Sequence, residues 1–192
     1  MNQPQRIAFA TRRSLSDLTE DDRLALDCLN ARGLRTESMV WDDPEVRWEE
    51  FDNVIIRSCW DYHLRPAEFI DWIAHLERQA VAVWNSPAVV RWNMDKSYLR
   101  DLEQKNIPIA PTTWVDKGTS PNLKEILELR GWRKAVVKPR ISATACQTFI
   151  TSEATAKSDQ ALLDNILLRS GAMVQGFIEQ ISYARRVVVH VF

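Results

Sequence analysis

The sequence predicts an α/β (α+β) protein in which an open α/β lobe is followed by a second lobe of mixed strands and helices. Short apolar, β-branched runs alternate with helical patterns over the first 84 residues. The character of the sequence then changes at Asn85-Ser86-Pro87. Since 192 residues suffice for two small lobes, we expect two domains, residues 1–84 and residues 85–192.

Each element of the first lobe carries a local signal. Residues 6–11 are an apolar run and predict a first strand. Thr19 with the acids after it predicts a helix start, and Gly33 predicts its end. Pro66 suits the first turn of a second helix, which is apolar at helical spacing. The remaining predicted elements are strands at 35–41, 52–57 and 81–84, with the second helix at 66–79.

In the second lobe, predicted strands and helices alternate less regularly along the chain. We expect helices over 95–106, 123–130 and 156–169, the second of them closed by Gly131. Strands are predicted at 112–115, 134–138 and 172–175, with 148–151 as a hairpin partner of 134–138 and a β-branched tail at 186–192.

Composition narrows the functional class. Hydrophobic residues make up 45% and charged residues 27%, as in soluble globular proteins. A net charge of −1 gives no support for a nucleic-acid or membrane partner. Three distant cysteines form neither a disulfide framework nor a zinc spacing, and no apolar run approaches about 20 residues. We therefore expect a cytoplasmic protein without a signal peptide.

Two lysines occupy unfavourable positions. Lys138 ends an apolar strand and shares a face with Val136, so burial of that face would leave a costly ammonium unless a ligand anion neutralised it. A lysine at a strand end that reaches water is the alternative. Lys96 is predicted in the first turn of a helix, where the helix dipole opposes a cation; a salt bridge with Asp95 or Asp101 would also explain it.

Two further segments fit a nucleotide site. Arg140 to Ala145 is rich in small and hydroxyl residues, whose backbone N–H groups can approach phosphate oxygens; a plain hairpin turn is the alternative. Met173 to Glu179 reads as a strand running into an extended segment that could supply backbone hydrogen bonds and apolar walls to adenine. A core strand followed by a surface glutamate explains the same pattern.

The order of these segments resembles the ATP-grasp superfamily, especially the bacterial branch similar to prokaryotic glutathione synthetase and cycloserine-type ligases. The segments are Asn85-Ser86-Pro87, Asn93-Met94-Asp95-Lys96, Val136-Val137-Lys138-Pro139 and Val174-Gln175-x-Phe177-Ile178. The segment from Ile56 to Tyr62 also looks like the amino-terminal lobe of that branch. The fold implied by the resemblance is an incomplete ATP-grasp fold after the first lobe.

The resemblance implies ATP as cofactor with Mg²⁺, and a small carboxylate or amine substrate that is activated as an acyl phosphate. Lys96 and Lys138 would contact the phosphates, and a lid would cover them. Charge neutralisation by lysines and Mg²⁺ suits phosphoryl transfer. The lid would consist of Ser142, Ala143, Thr144 and Ala145, and the adenine and ribose would lie against Gln175, Gly176, Phe177 and Glu179.

In the first lobe, Arg57 and Asp61 are the candidate substrate residues. They follow an apolar strand, where open α/β sheets place ligands, and Arg57 could hold a carboxylate by two hydrogen bonds. The alternative is an Arg–Asp surface pair beside a core Trp60.

The end of the sequence departs from the resemblance, since no acidic cluster follows Ile181-Ser182 to hold Mg²⁺. Codons for Tyr183 to Phe192 can be chosen so that reading one nucleotide later restores a Gly-Glu-Trp-Ser strand. We therefore hypothesise a frameshift near Ser182, a truncated ligase and low turnover. A non-catalytic nucleotide-binding or interaction module, and an α/β domain unrelated to nucleotides, remain alternatives.

Overall fold

A computed structural model describes residues 4–179 of the chain. Residue contacts divide these residues into two units, the first ending at Trp92 and the second beginning at Asn93. The predicted tail at 186–192 and the frameshift hypothesis near Ser182 lie outside the described residues.

Unit 1 contains a parallel sheet of four strands in the order β2-β1-β3-β4. This arrangement confirms the predicted open α/β layer. The strands are β1 Arg6–Thr11, β2 Arg35–Val40, β3 Asn53–Ser58 and β4 Ala82–Trp84, and the helices are α1 Glu20–Ala31 and α2 Pro66–Arg78.

Local signals set the limits of α1. The Thr19 side chain accepts a hydrogen bond from the Asp22 N–H at 3.2 Å, and Gly33 adopts a positive φ of 84° after the helix. On one side of the sheet, Ile7, Phe9 and Leu18 form a core cluster with apolar residues of α1. An aromatic cluster anchors α2, and its closest ring pair is an edge-to-face contact between Trp41 and Phe69 at 5.1 Å.

Unit 2 contains an antiparallel sheet of four strands in the order β5-β8-β6-β7. The predicted hairpin is confirmed, with Val137 opposite Phe149. Helix α3 spans Pro87–Met94 and therefore crosses the boundary between the units. The other elements are α4 Tyr98–Gln104, β5 Thr112–Val115, α5 Leu123–Arg130, β6 Lys134–Pro139, β7 Phe149–Ser152, α6 Ala156–Leu167 and β8 Ala172–Gly176.

The core of unit 2 lies between one face of this sheet and the helices α5 and α6. Ala135, Val137 and Val174 point into it from β6 and β8 and are completely buried. Because side chains alternate along a strand, Val136, Lys138 and Gln175 belong to the opposite face. The polar side chains of Lys138 and Gln175 therefore lie on the face of the sheet opposite to the apolar core.

The predicted helix over residues 95–106 is wrong at its start. Helix α4 begins only at Tyr98, and α3 ends at Met94. Between them, the Asp95 side chain accepts a hydrogen bond from the Ser97 N–H at 2.8 Å, and the Lys96 N–H donates to the Arg140 carbonyl at 2.9 Å. These contacts divert the backbone from helical bonding, so Lys96 lies in a turn rather than in a first helical turn.

None of the helices within residues 4–179 is both long and apolar enough to cross a bilayer. The three cysteines are free thiols, and among them only Cys59 is buried.

Candidate functional site

Lys138 lies on the sheet face of unit 2 that points away from the helices. It shares that face with Val136, as the alternation predicts, and both side chains are half-buried. Within residues 4–179, the Lys138 ammonium has no hydrogen-bond or ion-pair partner. Burial lowers the pKa of Lys138 below the ordinary lysine value. An ammonium group that is half-buried without an anion favours binding of one.

Lys96 reaches the same region from the turn between α3 and α4. Its Nζ donates hydrogen bonds to the Ser142 carbonyl at 2.7 Å and to the Ser142 Oγ at 3.0 Å. Burial and then repulsion by the Lys138 charge lower the pKa of Lys96 to about 8, with Asp95 opposing the shift. This repulsion indicates that the two ammonium groups lie near each other, and their contact with phosphates stays a prediction.

Arg140 holds this arrangement in place, and the sequence analysis missed its role. The Arg140 Nε and Nη2 donate to the two Asp95 carboxylate oxygens at 3.0 and 2.8 Å. Burial raises the pKa of Asp95, but the hydrogen bonds from Arg140 and Ser97 outweigh it and leave the pKa below its usual range. Because Asp95 is committed to Arg140, the proposed Asp95–Lys96 salt bridge does not form.

Gly171 makes room for the Arg140 side chain. A Cβ atom at Gly171 would lie 2.6 Å from the Arg140 Cδ and 3.0 Å from the Val115 carbonyl oxygen. The Arg140 N–H also donates to the Gly171 carbonyl at 2.8 Å. Since Asp95 lies 45 residues before Arg140, and Gly171 lies beyond α6, no local pattern signals this arrangement.

The predicted lid forms a tight turn after β6. Ser142 is buried, Ala143 is half-buried, and Thr144 and Ala145 are exposed with positive φ angles of 50° and 56°. The Cys146 N–H closes the turn on the Ala143 carbonyl at 3.0 Å. Within the described part of the chain, the backbone N–H groups of Ala143, Thr144 and Ala145 donate no hydrogen bond. Exposed amides of this kind are available to an anion.

The predicted adenine segment borders a cleft of about 390 Å³. Gln175 is buried, and its side-chain amide donates to the Thr112 Oγ1 at 2.8 Å, so this side chain is part of the sheet structure. Gly176 passes close to Trp132, whose ring lies 3.1 Å from the position of an added Cβ. The cleft is lined by Pro111, Trp132, Lys134, Gly176, Phe177 and Glu179, among others.

The two candidate substrate residues of unit 1 do not pair with each other. The Arg57 Nε donates to the Asp22 carboxylate at 2.7 Å, and Asp22 is 3% exposed. Asp61 accepts a hydrogen bond from the Trp41 indole at 3.0 Å and lies 3.6 Å from Arg65. Arg57 therefore secures the end of β3 to α1, and Trp60 is 36% exposed rather than part of the core.

Comparison with known proteins matches both the sequence and the fold. Residues 7–85 match the family model for the N-terminal domain of the D-cycloserine synthetase DcsG. The chain is 33% identical over 117 residues to the cycloserine biosynthesis protein DcsG of Streptomyces lavendulae, covering 59% of this chain and 39% of that relative. The crystal structure of D-cycloserine synthetase DcsG superposes with a TM-score of 0.84 at 26% identity, over 92% of this chain and 60% of that one.

A D-alanine–D-alanine ligase from Bacillus anthracis complexed with ATP has the same fold, with a TM-score of 0.68 at 15% identity over 92% of this chain and 58% of the ligase. The described residues thus have the fold of the ATP-grasp ligases. The two matches to DcsG confirm the resemblance to cycloserine-type ligases that the order of the motifs predicted. The chain spans 39% of its curated relative and 60% of the solved DcsG structure.

Replacing Lys138 with Met should raise the pKa of Lys96 from about 8 toward the ordinary value of 10.5, because a repelling charge is removed. The pKa is measured by NMR titration of the lysine Cε resonances. Lys134→Met on the same strand face is the matched control and should leave the Lys96 pKa unchanged. Equal Lys96 pKa values in Lys138→Met and the wild type would contradict the proximity of the two ammonium groups.

Asp95→Asn should destabilise the turn at Lys96 by about 1 to 3 kcal/mol, because a half-buried, doubly hydrogen-bonded carboxylate loses its charge. Amide hydrogen exchange at Lys96 and Ser97 measures the change locally. Asp116→Asn is the control: Asp116 lies 3.6 Å from the same Arg140 but its side chain is 72% exposed, compared with 30% for Asp95. Similar exchange rates in the two variants would refute a special role for the Asp95–Arg140 pair.

Proposed function

We propose that the chain provides the nucleotide-binding part of an ATP-dependent carboxylate–amine ligase. The observation that supports this most directly is the pair of half-buried lysines, Lys96 and Lys138, whose charges repel each other. A triphosphate supplies the anionic oxygens that both ammonium groups need. The similarity to DcsG and to ATP-grasp ligases supports the same reading.

In this proposal, the phosphates of ATP lie between Lys96, Lys138 and the turn formed by Ser142, Ala143 and Thr144. The exposed amides of that turn donate to phosphate oxygens, as in other backbone anion sites. Ser142 also orients the Lys96 ammonium, because its carbonyl and hydroxyl oxygens accept hydrogen bonds from the Lys96 Nζ. The turn would therefore hold a phosphate-binding lysine as well as cover the nucleotide.

The adenine and ribose would lie along Gly176, Phe177 and Glu179. The Phe177 N–H donates a hydrogen bond to the Lys134 carbonyl at 3.1 Å, whereas the Ile178 N–H has no acceptor within residues 4–179. That free amide can donate to a ring nitrogen of adenine. Glu179 is exposed at the rim of the cleft, where its carboxylate can accept hydrogen bonds from ribose hydroxyls. Gln175 would act as a supporting residue of the strand rather than through its amide.

The chemistry is the formation of an acyl phosphate. A carboxylate oxygen of the substrate attacks the γ-phosphorus, and ADP leaves. An amine then attacks the acyl carbon, and inorganic phosphate leaves. Lys96 and Lys138 contribute by neutralising and orienting the phosphate oxygens, since phosphoryl transfer depends on positioning and charge neutralisation.

Mg²⁺ is the metal that this chemistry uses, but residues 4–179 do not fit it. No three His, Cys, Asp or Glu side chains come together within these residues. Asp95, which precedes Lys96 in the chain, accepts hydrogen bonds from Arg140 on both of its carboxylate oxygens. No step above is therefore assigned to a metal ligand of the described residues.

ATP should bind to the wild type, and both Lys96→Ala and Lys138→Ala should weaken binding by about tenfold or more, because each removes a charged partner of the phosphates. Isothermal titration calorimetry measures the affinity. Lys124→Ala is the control, because Lys124 is exposed and lies 3.5 Å from Glu128 on α5. If ATP bound all four proteins equally, or none of them, the assignment of the nucleotide site would be wrong.

Phosphate release with ATP, Mg²⁺ and D-alanine separates a working ligase from a nucleotide-binding module. D-alanine is the probe because a structural neighbour is a D-alanine–D-alanine ligase. Binding with lysine-dependent phosphate release supports the ligase. Binding of ATP with no release for any small amino acid supports the non-catalytic module instead.

ATP affinity should also depend on pH. The anion binds the protonated form of Lys96, whose pKa in the free protein is about 8. Affinity should therefore fall as the pH rises from about 8 toward the ordinary lysine pKa of 10.5. Lys96→Arg stays protonated throughout and should remove the step near pH 8. A wild-type step that persists unchanged in Lys96→Arg would assign it to another group.

A further inference from the structure

The direction in which successive strands are added to the sheet of unit 1 reverses between β1 and β3. Strand β1 pairs with β2 on one side and with β3 on the other, and all three run parallel. The chain moves outward to β2 after β1, and outward to β4 on the opposite side after β3. Beyond the carboxyl ends of such a strand pair a crevice forms, and open α/β sheets bind ligands there. The residues directly after β1 and β3 line this edge.

Arg12 and Trp60 meet at this edge. Arg12 follows β1, and its N–H donates to the carbonyl of Ser58, the last residue of β3, at 3.2 Å. The Arg12 guanidinium lies 5.7 Å from the centre of the Trp60 ring. Its Nε is buried and has no hydrogen-bond partner among the described residues, while Trp60 is 36% exposed. A guanidinium held over an indole is fixed in orientation without losing its charge.

The neighbouring arginines are all paired with acids. Arg57 bonds to Asp22 at 2.7 Å, Arg65 bonds to Asp42 at 2.8 Å, and Arg13 lies 3.9 Å from Asp43. Among residues 4–179, no carboxylate lies within 4 Å of the Arg12 guanidinium. Arg12 is therefore the cation at this edge whose terminal nitrogens are available to an outside anion.

We propose that Arg12, supported by Trp60, binds the carboxylate of the acid or amino-acid substrate, a role that the sequence had predicted for Arg57. This inference rests on the proposed ligase function. A planar guanidinium matches a carboxylate by two parallel hydrogen bonds. Arg57 cannot serve in the same way, because its Nε and a terminal nitrogen both lie on Asp22.

The single positive charge of Arg12 favours a monoanion over phosphate. One guanidinium can neutralise the single charge of a carboxylate, but a phosphate carries up to twice that charge. The site should therefore prefer carboxylates to inorganic phosphate.

NMR of the full chain with labelled arginine side chains tests the site. D-alanine, D-serine, L-alanine and glycine are titrated while the Arg12 Nε–Hε resonance is followed. At least one amino acid should shift this resonance in a saturable way, and its methyl ester, which lacks the carboxylate, should not. Inorganic phosphate should bind at least about tenfold more weakly than the best amino acid.

Substitutions at Arg12, Trp60 and the control residue Arg13 test whether Arg12 is the residue that binds the amino acid. Arg12→Met should weaken amino-acid binding by about tenfold or more, Trp60→Ala should weaken it less, and Arg13→Met should leave it unchanged because Arg13 is the adjacent, largely exposed arginine. For the Met variants, calorimetry replaces the NMR signal. Circular dichroism and the dispersion of the amide resonances of residues 4–92 show that unit 1 of each variant is folded. ATP titration of the same samples tests the nucleotide proposal separately, since the lysines that should bind ATP belong to unit 2.

The outcomes separate the two proposals. Wild-type protein that binds ATP but none of the amino acids at Arg12, or equal binding by Arg12→Met, overturns the carboxylate site and leaves the nucleotide proposal standing. A stronger response to phosphate than to any amino acid also overturns it. Failure of the wild type to bind ATP contradicts the proposed function, and with it the assignment of Arg12 to a ligase substrate.

Discussion

The proposed nucleotide site of unit 2 depends on one unfavourable interaction, the repulsion between the ammonium groups of Lys96 and Lys138. Both groups are half-buried, so water screens their charges less than it would at the surface. A folded chain tolerates such a contact only if other interactions hold the groups in place. Here the Ser142 carbonyl and hydroxyl hold the Lys96 ammonium, and the strand β6 fixes the origin of Lys138. The repulsion is thus retained in the free protein and can be relieved by an anion.

The partner of Asp95 decides whether the proposed anion site can form. Asp95 precedes Lys96 in the chain, and a salt bridge between these neighbours would neutralise the ammonium and remove the reason to bind phosphate. Instead, the Arg140 guanidinium donates hydrogen bonds to both carboxylate oxygens of Asp95, and the Lys96 N–H donates to the Arg140 carbonyl. Gly171 allows this by leaving space for the Arg140 side chain. One arginine therefore fixes the position of a lysine while keeping the nearest acid away from its charge.

Local signals were sufficient for most of the fold. Thr19 and Gly33 bracket α1, and Asn122 and Gly131 bracket α5, because capping depends on residues only a few positions apart. The alternation along β6 likewise predicted the face on which Lys138 lies. The start of the helix at 95 was wrong for two reasons. The Asp95 side chain accepts a local hydrogen bond from the Ser97 N–H, and the Lys96 N–H bonds to the carbonyl of Arg140, about 45 residues away. Contacts at that separation leave no mark on the local pattern.

The difference between local signals and contacts far apart in the sequence also explains which candidate site residues could be predicted. The position of Arg57 after an apolar strand was read correctly, but its partner Asp22 lies 35 residues earlier and could not be inferred. An arginine that the protein pairs with its own acid contributes to stability, and one that it leaves unpaired is available to a ligand. By this criterion Arg57 and Arg140 are structural residues, whereas Arg12, Lys96 and Lys138 have no acid partner within residues 4–179 and are available to a ligand anion. Sequence spacing identifies residues that carry the right chemistry. Only the pairing of their charges, which depends on tertiary contacts, separates those that hold the fold together from those that meet a substrate.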